Sequence, residues 1–381
     1  MARITRTEVF VHRAPIAAPV VNSFGTLRDR AAAFVRIEDS DGAFGWGEIW
    51  CNFPQVGAEH RARLFDAVIA PRLLGRDADA DPRDFWHATD RALHIMGIQS
   101  GEPGAFAAVL AGADIALHDL AARRAGLPLW RHLGGRDGSP VPAYASGLNP
   151  DAQALAQVEL ARSRGYTRFK VKIGFGEARD LATLEPVFAS LRDGERAMVD
   201  VNQGWDVATA CRMAGLLARW PVGWIEEPLL ADRPAHEWAM VRSAATAPIA
   251  AGENMRGATE YQQALRDGHL GIVQPDICKW GGLTATVPVA QAILGAGKSY
   301  CPHFLGGGIG LIASLHLLGA VRGPGMVEVD ANPNPLREDI AGDALAVRDG
   351  MMALPATPGL GITPDMAPFA AMRTLHLESR A

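Results

Sequence analysis

Three carboxylates recur at nearly even intervals in the middle of the chain. Asp200, Glu226 and Glu253 are separated by 26 and 27 residues, and each follows a short apolar run. One strand, one helix and two loops together take about that many residues. Carboxylates that converge repel one another unless a cation lies between them, and oxygen ligands of this kind suit Mg²⁺. The spacing therefore predicts a site for one Mg²⁺ ion held by these three side chains.

The same interval continues on both sides of the carboxylates. Strand-like segments end at Lys172, Asp276, His303 and Glu328, with helix-like segments between them, and a first strand is predicted at 141–144. About eight such units are typical of a parallel α/β barrel, whose active site lies at the carboxyl ends of the strands. The alternative is an open doubly wound sheet, which would place a glycine-rich phosphate turn after its first strand. The sequence has no such turn.

The first part of the chain has a different pattern. Residues 4–11, 32–37 and 44–49 are predicted strands, and 59–73, 82–94 and 104–125 have helical periodicity. Strands followed by helices indicate an α+β arrangement. A hairpin is predicted at 347–354, after the last barrel strand, and we expect it to return and pack on the N-terminal domain.

Bulk composition limits the classes of partner. The chain has 381 residues, 48% of them hydrophobic, and a net charge of −5, which argues against nucleic acid and against an anionic membrane. Neither an uninterrupted apolar run nor a signal peptide is evident, so we expect a soluble cytoplasmic protein. The cysteines (Cys51, Cys211, Cys278 and Cys301) lack CxxC spacing, which predicts free thiols rather than a zinc site.

A set of short motifs carries a family resemblance. They are Lys170-Val171-Lys172, Asp200-Val201-Asn202, Trp224-Ile225-Glu226-Glu227-Pro228, Gly252-Glu253-Asn254, Gln274-Pro275-Asp276, Pro302-His303 and Val327-Glu328. In this order and spacing they resemble the mandelate racemase subgroup of the enolase superfamily. The resemblance implies a modified TIM barrel of the (β/α)7β type. It also implies an α+β N-terminal capping domain that the C-terminal segment completes.

The resemblance also implies an organisation and a state of assembly. We expect a capping domain at 1–130, a catalytic barrel at 131–340, and a segment at 341–381 that returns to the capping domain. The expected partner is a small-molecule carboxylate, and the chain is expected to form a homo-oligomer between a dimer and an octamer.

The chemistry that the resemblance implies is removal of a proton next to a carboxylate, through an ene-diolate stabilised by Mg²⁺. Lys172 is the candidate base on one face of the substrate, with its pKa lowered by the neighbouring Lys170 and the metal. Lys170 is expected to contact the substrate carboxylate. His303, oriented by Asp276, is the candidate base on the opposite face.

Further side chains are expected to bind the substrate. Asn202 should face the site, and Glu328, when protonated, should hydrogen-bond the substrate carboxylate. Asp330 competes with Glu328 for that role. Lys279 either tunes the site electrostatically or is an ordinary loop lysine. Alternation along a strand predicts that Glu227 points away from Glu226 and does not bind the metal.

Two loops of the capping domain are expected to set specificity. The candidate contacts are Asn22, Phe24, Trp50 and Phe53, a mixture that suits a small or partly apolar acid. The alternative is that the aromatic side chains only pack the domain interface. The glycines at 306–310 either let the backbone approach the ligand or form a tight entry into a helix.

Two reaction outcomes remain open, and both make the protein a lyase or an isomerase. Dehydration of a sugar acid or hydroxy acid is favoured, and racemisation or epimerisation of a 2-hydroxy or related acid is the alternative. Cycloisomerisation is less favoured, because it would usually place a second lysine on the sixth strand instead of the Asp276–His303 pair. A non-catalytic barrel would be expected to have lost some of these groups.

Overall fold

The structure is a computed structural model that describes residues 1–22, 25–150 and 153–381. Its strands are β1 (Ile4–Asn22), β2 (Gly25–Asp39), β3 (Phe44–Ile49), β4 (Val141–Leu148), β5 (Arg168–Lys172), β6 (Arg196–Asp200), β7 (Ile225–Glu226), β8 (Ile249–Ala251), β9 (Ile272–Val273), β10 (Ser299–Tyr300), β11 (Val327–Asp330), β12 (Val347–Arg348), β13 (Met351–Met352) and β14 (Arg373–Arg380).

The helices are α1 (Gly57–Leu64), α2 (Ala70–Leu73), α3 (Pro82–Gln99), α4 (Pro103–Arg124), α5 (Leu129–His132), α6 (Ala154–Ser163), α7 (Glu177–Ala189), α8 (Val207–Leu217), α9 (Ala235–Ala244), α10 (Ala258–Asp267), α11 (Gly282–Gly295), α12 (Gly308–Val321) and α13 (Pro335–Ala341). A π-helical turn (Phe65–Ile69) joins α1 to α2, and 3-10 turns occur at Gly342–Leu345 and Ala367–Met372.

The N-terminal region is a four-stranded antiparallel sheet with helices packed on it. The strand order is β14-β1-β2-β3. Helix α4 lies close to β3, because Gly45 and Gly47 leave room for its backbone: a Cβ at either glycine would lie 2.0 Å from a carbonyl oxygen of α4. The hairpin of β1 and β2 extends to the pair Asn22–Gly25, well beyond the predicted apolar segments.

The eight strands β4 to β11 are parallel and form the predicted barrel. Neighbouring strands pair in chain order from β4 to β10, and β11 pairs with β4, which joins the two ends of the series. Seven helices, α6 to α12, connect them, as the (β/α)7β type requires. The prediction of a modified TIM barrel with an α+β capping domain is therefore confirmed. The domain bounds stay predictions.

Apolar side chains fill the barrel beneath the strand ends. The cluster contains Tyr144, Met198, Trp224, Ala250, Ile272 and Cys301, all at most 7% exposed. Met198 lies two residues before Asp200 and Trp224 two before Glu226, so alternation places each acid directly above this packed layer.

The predicted C-terminal hairpin is present, but the expectation that it packs on the N-terminal domain is wrong. Strands β12 and β13 form the hairpin, but β13 pairs with Val141 and Pro142 of β4 rather than with the N-terminal sheet. These two residues precede the part of β4 that pairs with β5 and β11, so their edge is free to take another strand. The strand that does return is β14, which pairs with β1 from Arg6 to His12.

Helix α4 is long and apolar enough to cross a membrane, by length and composition alone. In the structure, 89% of its most apolar window is buried. The helix packs against β3, α3 and α11, which is the environment of a core helix.

Candidate active site

The site is built at the carboxyl ends of adjacent barrel strands. The strand register pairs Lys172 with Asp200 across β5 and β6, and Asp200 with Glu226 across β6 and β7. The three side chains therefore lie at one level. Glu253 follows β8 after one intervening glycine. The sequence placed all four at strand ends, and the structure agrees.

Each of the three predicted metal ligands is paired with a cation. Asp200 accepts from Lys172 Nζ at 2.6 Å. Glu226 accepts from Lys170 Nζ through one oxygen. Glu253 contacts Lys279 Nζ at 3.1 Å and His303 Nε2 at 3.0 Å.

These pairings keep the three carboxylates from meeting at one point. Among the described residues, the one group of histidine, cysteine or acidic side chains with ligand atoms within 4.8 Å of one another is Glu8, His376 and Glu378, on the β1–β14 edge. Their negative charges are already balanced by Arg6 and Arg36.

The charges of the site nevertheless fit a divalent cation. Its carboxylates are Asp200, Glu226, Glu227, Glu253, Asp276 and Glu328, all of them buried except Glu253, which is partly buried. Its cations are Lys170, Lys172, Lys279 and His303. Carboxylates are in excess. Burial raises the pKa of Glu226 to about 7 against the attraction of Lys170, and the negative charges of Asp200 and Glu328 add to the rise. A hard cation bound among these oxygens would relieve that repulsion.

Glu227, predicted to point the opposite way from Glu226, lies beside other acids of the site. Strand β7 ends at Glu226, and Glu227 has a φ of 42°, so the alternation of an extended strand does not apply to it. Its side chain is 2% exposed and accepts from Asn254 Nδ2 at 2.8 Å through Oε1, whereas Oε2 has no hydrogen-bond partner among the residues that the structure describes. Burial and the charges of Glu253 and Asp200 raise its pKa well above the usual value.

Lys170 and Lys172 both face the barrel interior, as their spacing predicted. Lys170 is 1% exposed and lies between Glu226 and Glu328, with its Nζ 2.7 Å from a Glu328 oxygen. Lys172 contacts Asp200 and Asn202 Oδ1 at 2.7 Å.

The pKa of Lys172 depends on its carboxylate neighbours as well as on Lys170. Burial and the charge of Lys170 lower it, but Asp200 and Glu226 together outweigh both, so the pKa of Lys172 is raised. The predicted lowering also requires Mg²⁺ beside the lysine, and it stays a prediction.

The structure brings His303 and Asp276 together. His303 Nδ1 lies 2.7 Å from Asp276 Oδ2, and the other Asp276 oxygen accepts from the backbone N–H of Cys278 at 2.8 Å. His303 Nε2 faces Glu253. Burial opposes the charge, but Glu253 and Asp276 hold the pKa of His303 well above its usual value.

Glu328 and Asp330 have different partners. Glu328 accepts from Lys170 and from the Ser146 hydroxyl. Burial opposes ionisation, but Lys170 and His303 outweigh it and the pKa of Glu328 is lowered. The expected hydrogen bond from protonated Glu328 to a substrate carboxylate stays a prediction. Asp330 forms ion pairs with Arg30 at 2.9 Å and Arg337 at 3.2 Å. Because both ion pairs use its carboxylate, Asp330 is a weaker candidate than Glu328 for contact with the substrate carboxylate.

Asn202 and Lys279 both lie against the acids. Asn202 donates its backbone N–H to Asp200 Oδ1 at 2.9 Å. Lys279 Nζ contacts Glu253 and Asn254 Oδ1 at 3.0 Å, so it belongs to the electrostatics of the site rather than to a solvated loop.

Of the predicted capping contacts, Trp50 lies at the edge of the site. Its ring is 4.7 Å from Lys279 Nζ and 5.3 Å from the Arg61 guanidinium carbon. Phe53 packs against Trp50 with ring centroids 6.5 Å apart. Phe24 lies outside the described residues, and of Asn22 only the backbone is described. A substrate contact at these four positions stays a prediction.

Two residues that contact the site were not predicted from the sequence. Gln274 donates to Glu226 Oε2 at 2.8 Å; its motif was recognised, but this contact was not expected. Glu48 of β3 lies near the Asp276–His303 pair, hereafter the dyad, and the signal that could have found it is an acid in an otherwise apolar strand.

Comparison with known proteins identifies the family of this architecture. Residues 4–134 match the mandelate racemase/muconate lactonizing enzyme N-terminal domain, and residues 153–368 match the enolase C-terminal domain-like family. A mandelate racemase/muconate lactonizing enzyme from Bordetella bronchiseptica RB50 is 47% identical, with a TM-score of 0.89 over 97% of this chain and 99% of that one. A racemase from Streptomyces coelicolor A3(2) with bound magnesium is 28% identical, with a TM-score of 0.87 over 97% and 100%.

Two relatives of known activity span different reactions. A D-galactarolactone cycloisomerase from Agrobacterium fabrum is 31% identical over 94% of each chain. An L-talarate/galactarate dehydratase from Salmonella typhimurium is 33% identical over 77% of this chain and 71% of its own length. The expected classes, lyase and isomerase, are therefore both found among the relatives.

Proposed function

The chain belongs to the mandelate racemase/muconate lactonizing enzyme family of the enolase superfamily, and we propose that it removes the α-proton of a sugar acid or hydroxy acid and expels the β-hydroxyl. The observation that carries this proposal is the contact of His303 Nδ1 with Asp276 Oδ2 at 2.7 Å, which orients the ring so that Nε2 faces the acidic site beside Glu253. A protonated imidazole at a strand end is suited to donate a proton to a departing hydroxyl.

Lys172 takes the role of base in this scheme. It ends β5, on a strand not adjacent to the one that leads to His303, so the two groups can reach a substrate from different sides. The α-carbon–hydrogen bond breaks and its proton goes to Lys172. The β-carbon–oxygen bond then breaks, the hydroxyl takes a proton from His303 and leaves as water, and the remaining enol becomes a 2-keto acid.

Asp200, Glu226 and Glu253 are the proposed ligands of one Mg²⁺ ion, which supplies charge stabilisation for the substrate carboxylate as the α-proton leaves. With Asp200 committed to a divalent cation, burial and Lys170 would favour the neutral amine of Lys172. Lys170, Glu328 and Asn202 are the proposed contacts of the substrate carboxylate and its neighbouring hydroxyl.

Cycloisomerisation is a second candidate, because a 31% identical relative over 94% of the chain is a D-galactarolactone cycloisomerase. Expulsion of a ring oxygen instead of a free hydroxyl needs the same base and the same acid. Racemisation uses the two groups as a base and an acid at one carbon, and remains the third outcome.

A screen of sugar acids, hydroxy acids and their lactones with Mg²⁺ in D₂O tests the proposal. A 2-keto acid establishes dehydration, an isomer with a changed ring establishes cycloisomerisation, and deuterated substrate of inverted configuration establishes racemisation. Absence of any change in the whole panel would contradict the proposed substrate class.

We propose further that the protein works in the cytoplasm as a homo-oligomer. The four cysteines are free, as is usual in a reducing compartment. Ile95, Met96 and Ile98 of α3 are 71%, 45% and 59% exposed, a surface that another subunit could cover. Light scattering after size exclusion measures the mass, and a monomer at micromolar concentration would contradict the assembly.

A further inference from the structure

Two buried carboxylates of the N-terminal region lie outside the acidic site, each at the start of a barrel helix. Glu48 of β3 accepts from the backbone N–H groups of Gly307 and of Gly310, the latter at 2.8 Å. Asp114 of α4 accepts from the backbone N–H groups of Leu283 at 2.7 Å and Thr284 at 2.9 Å. Glu48 is 2% exposed and Asp114 is fully buried.

These two helices follow the two strands that supply the acid–base pair. Helix α11 begins at Gly282, shortly after Asp276, and α12 begins at Gly308, shortly after His303. The first N–H groups of a helix have no partner within the helix, so an anion there fixes where the helix starts. Fixing both starts also fixes the short turns that carry the dyad.

The segment Glu48–Asn52 makes two more contacts with the same turns. The backbone N–H of Trp50 donates to the Cys278 carbonyl at 3.2 Å, and Asn52 Nδ2 donates to the Leu305 carbonyl at 2.7 Å. Each contact lies two residues beyond a member of the dyad. The N-terminal region therefore holds both turns through hydrogen bonds to their backbone atoms, mostly from its side chains.

Several of the glycines at 306–310 have close neighbours that leave no room for a side chain. A Cβ on Gly306 would lie 2.7 Å from a Glu48 oxygen, and one on Gly310 would lie 2.4 Å from the Phe304 ring. A Cβ on Gly282 would likewise lie 2.3 Å from an Asp114 oxygen. The group that approaches Gly306 is thus Glu48, and the group that approaches Gly310 is Phe304. An approach of the ligand to this segment stays a prediction.

The turn that follows Lys172 is held by an acid of the barrel, not by one of the N-terminal region. Asp180 of α7, within the barrel itself, accepts from the backbone N–H groups of Gly174 at 2.9 Å and Phe175 at 3.1 Å. The N-terminal acids Glu48 and Asp114 therefore contact the His303 half of the site, whereas the Lys172 half has a support of its own.

We propose that Glu48 and Asp114 are positioning residues for the Asp276–His303 pair, through which the N-terminal region sets the geometry of the acid half of the site and leaves the base half to the barrel. The effect on turnover rests on the proposed function, whereas the effect on the two turns does not. Neither residue touches the reacting atoms.

Hydrogen exchange of the full-length, Mg²⁺-loaded protein tests the structural part. Loss of two accepting oxygens in Glu48→Ala should speed amide exchange at 303–311 by roughly tenfold or more. Asp114→Asn should do the same at 276–284. In both variants exchange at 168–175 should stay at the wild-type rate. Glu48→Gln, which keeps one acceptor, should be intermediate and serves if Glu48→Ala does not fold.

Asp119→Asn is the matched control. Asp119 is another fully buried acid of α4, but it accepts from the backbone N–H groups of Trp46 and Leu360, away from the dyad. Its variant should leave both turns unchanged. Acceleration spread evenly over the barrel in Glu48→Ala, or none at 303–311, would overturn the proposal.

Turnover provides the second readout. With a substrate in hand, Glu48→Ala should lower kcat at least tenfold with little change in KM, and α-deuterium exchange through Lys172 should persist. Loss of kcat and exchange together would overturn a role confined to the dyad. If no acid reacts with the wild-type protein, the proposed function fails while the exchange data still decide whether the two turns depend on Glu48 and Asp114.

Discussion

Lys172 and His303 need opposite states of protonation to act as proposed, but both lie against carboxylates. Asp276 and Glu253 raise the pKa of His303 against the effect of burial, which favours the protonated form that can donate. Asp200 likewise raises the pKa of Lys172 against the effect of burial, which favours the protonated form that cannot accept. A lysine with this partner can accept a proton only when the carboxylate is engaged by another charge. The chemistry of the base is thus coupled to the metal site.

Metal dependence is the first prediction at the level of single residues. Mg²⁺ at about 100 times its Kd should stabilise the wild-type protein by about 2.7 kcal/mol, because only the folded chain brings the ligands together. Asp200→Asn should lose most of this gain, since one anionic ligand is removed. Thermal unfolding with and without the ion measures it.

Asp276→Asn is the control for that experiment, because Asp276 binds His303 rather than the proposed metal. It should keep the Mg²⁺-dependent rise in Tm. An equal rise in Asp200→Asn and the wild type would exclude Asp200 as a ligand. EDTA should abolish activity, and added Mg²⁺ should restore it.

The elements of the barrel were predictable because their sequence signal is local. A strand that ends in a polar residue near the site recurs about every 26 residues, and Lys172, Asp200 and Glu226 lie where that period put them. The orientation of Glu227 was not predictable, because it depends on a left-handed backbone one residue beyond the strand. The pairing of β13 with β4 was not predictable either, since it joins segments distant in sequence.

The charge states of the site residues were the hardest feature to predict from the sequence. Sequence reasoning considered the metal and Lys170 as the neighbours of Lys172, but the pKa depends on which carboxylate lies within contact distance. Such distances are set by packing among several strands. The same holds for Glu48, whose role depends on a helix that begins far along the chain.

A buried histidine links three elements and makes their packing sensitive to pH. His316 of α12 accepts from the Trp130 N–H at 3.0 Å through Nδ1, so Nε2 carries the proton and donates to the Leu360 carbonyl at 3.0 Å. Burial lowers its pKa to about 4. The unfolded chain takes up this proton near pH 6.5, so stability is complete above that pH and is lost as the pH falls toward 4.

His316→Gln should therefore flatten the dependence of stability on pH. Between about pH 7 and pH 4 the residue contributes a loss of up to about 3 kcal/mol, which the variant lacks. The variant should also be less stable at pH 7, because one hydrogen bond is broken. Urea unfolding at several pH values measures both effects. His94→Gln, at an exposed site, is the control, and identical slopes in all three proteins would contradict the assignment.

At the scale of the whole molecule, the chain closes on itself. Its last strand, β14, pairs with its first along Arg6 to His12, which covers the edge of the N-terminal sheet. The sheet in turn holds the barrel turns that carry the dyad. The ends of the sequence are thus structurally joined to the site, although neither end supplies a proposed catalytic group.

Removal of residues 373–381 should uncover the edge of β1. An unpaired edge favours association with other chains, so the truncated protein should form larger and more heterogeneous species and unfold at a lower temperature. Light scattering and thermal unfolding measure this. Trimming only 379–381 should have a much smaller effect, and an unchanged mass and Tm in the full truncation would show that β14 is dispensable.

The proposed roles of Lys172 as base and His303 as acid are tested most directly by α-deuterium exchange of a substrate acid in D₂O with Mg²⁺. Two variants are compared with the wild type. His303→Asn should keep exchanging the α-proton while product formation falls by roughly 10²–10⁴-fold. Lys172→Ala should lose both exchange and product. Wild-type product formation by His303→Asn, or continued exchange by Lys172→Ala, would contradict the assignment of base and acid.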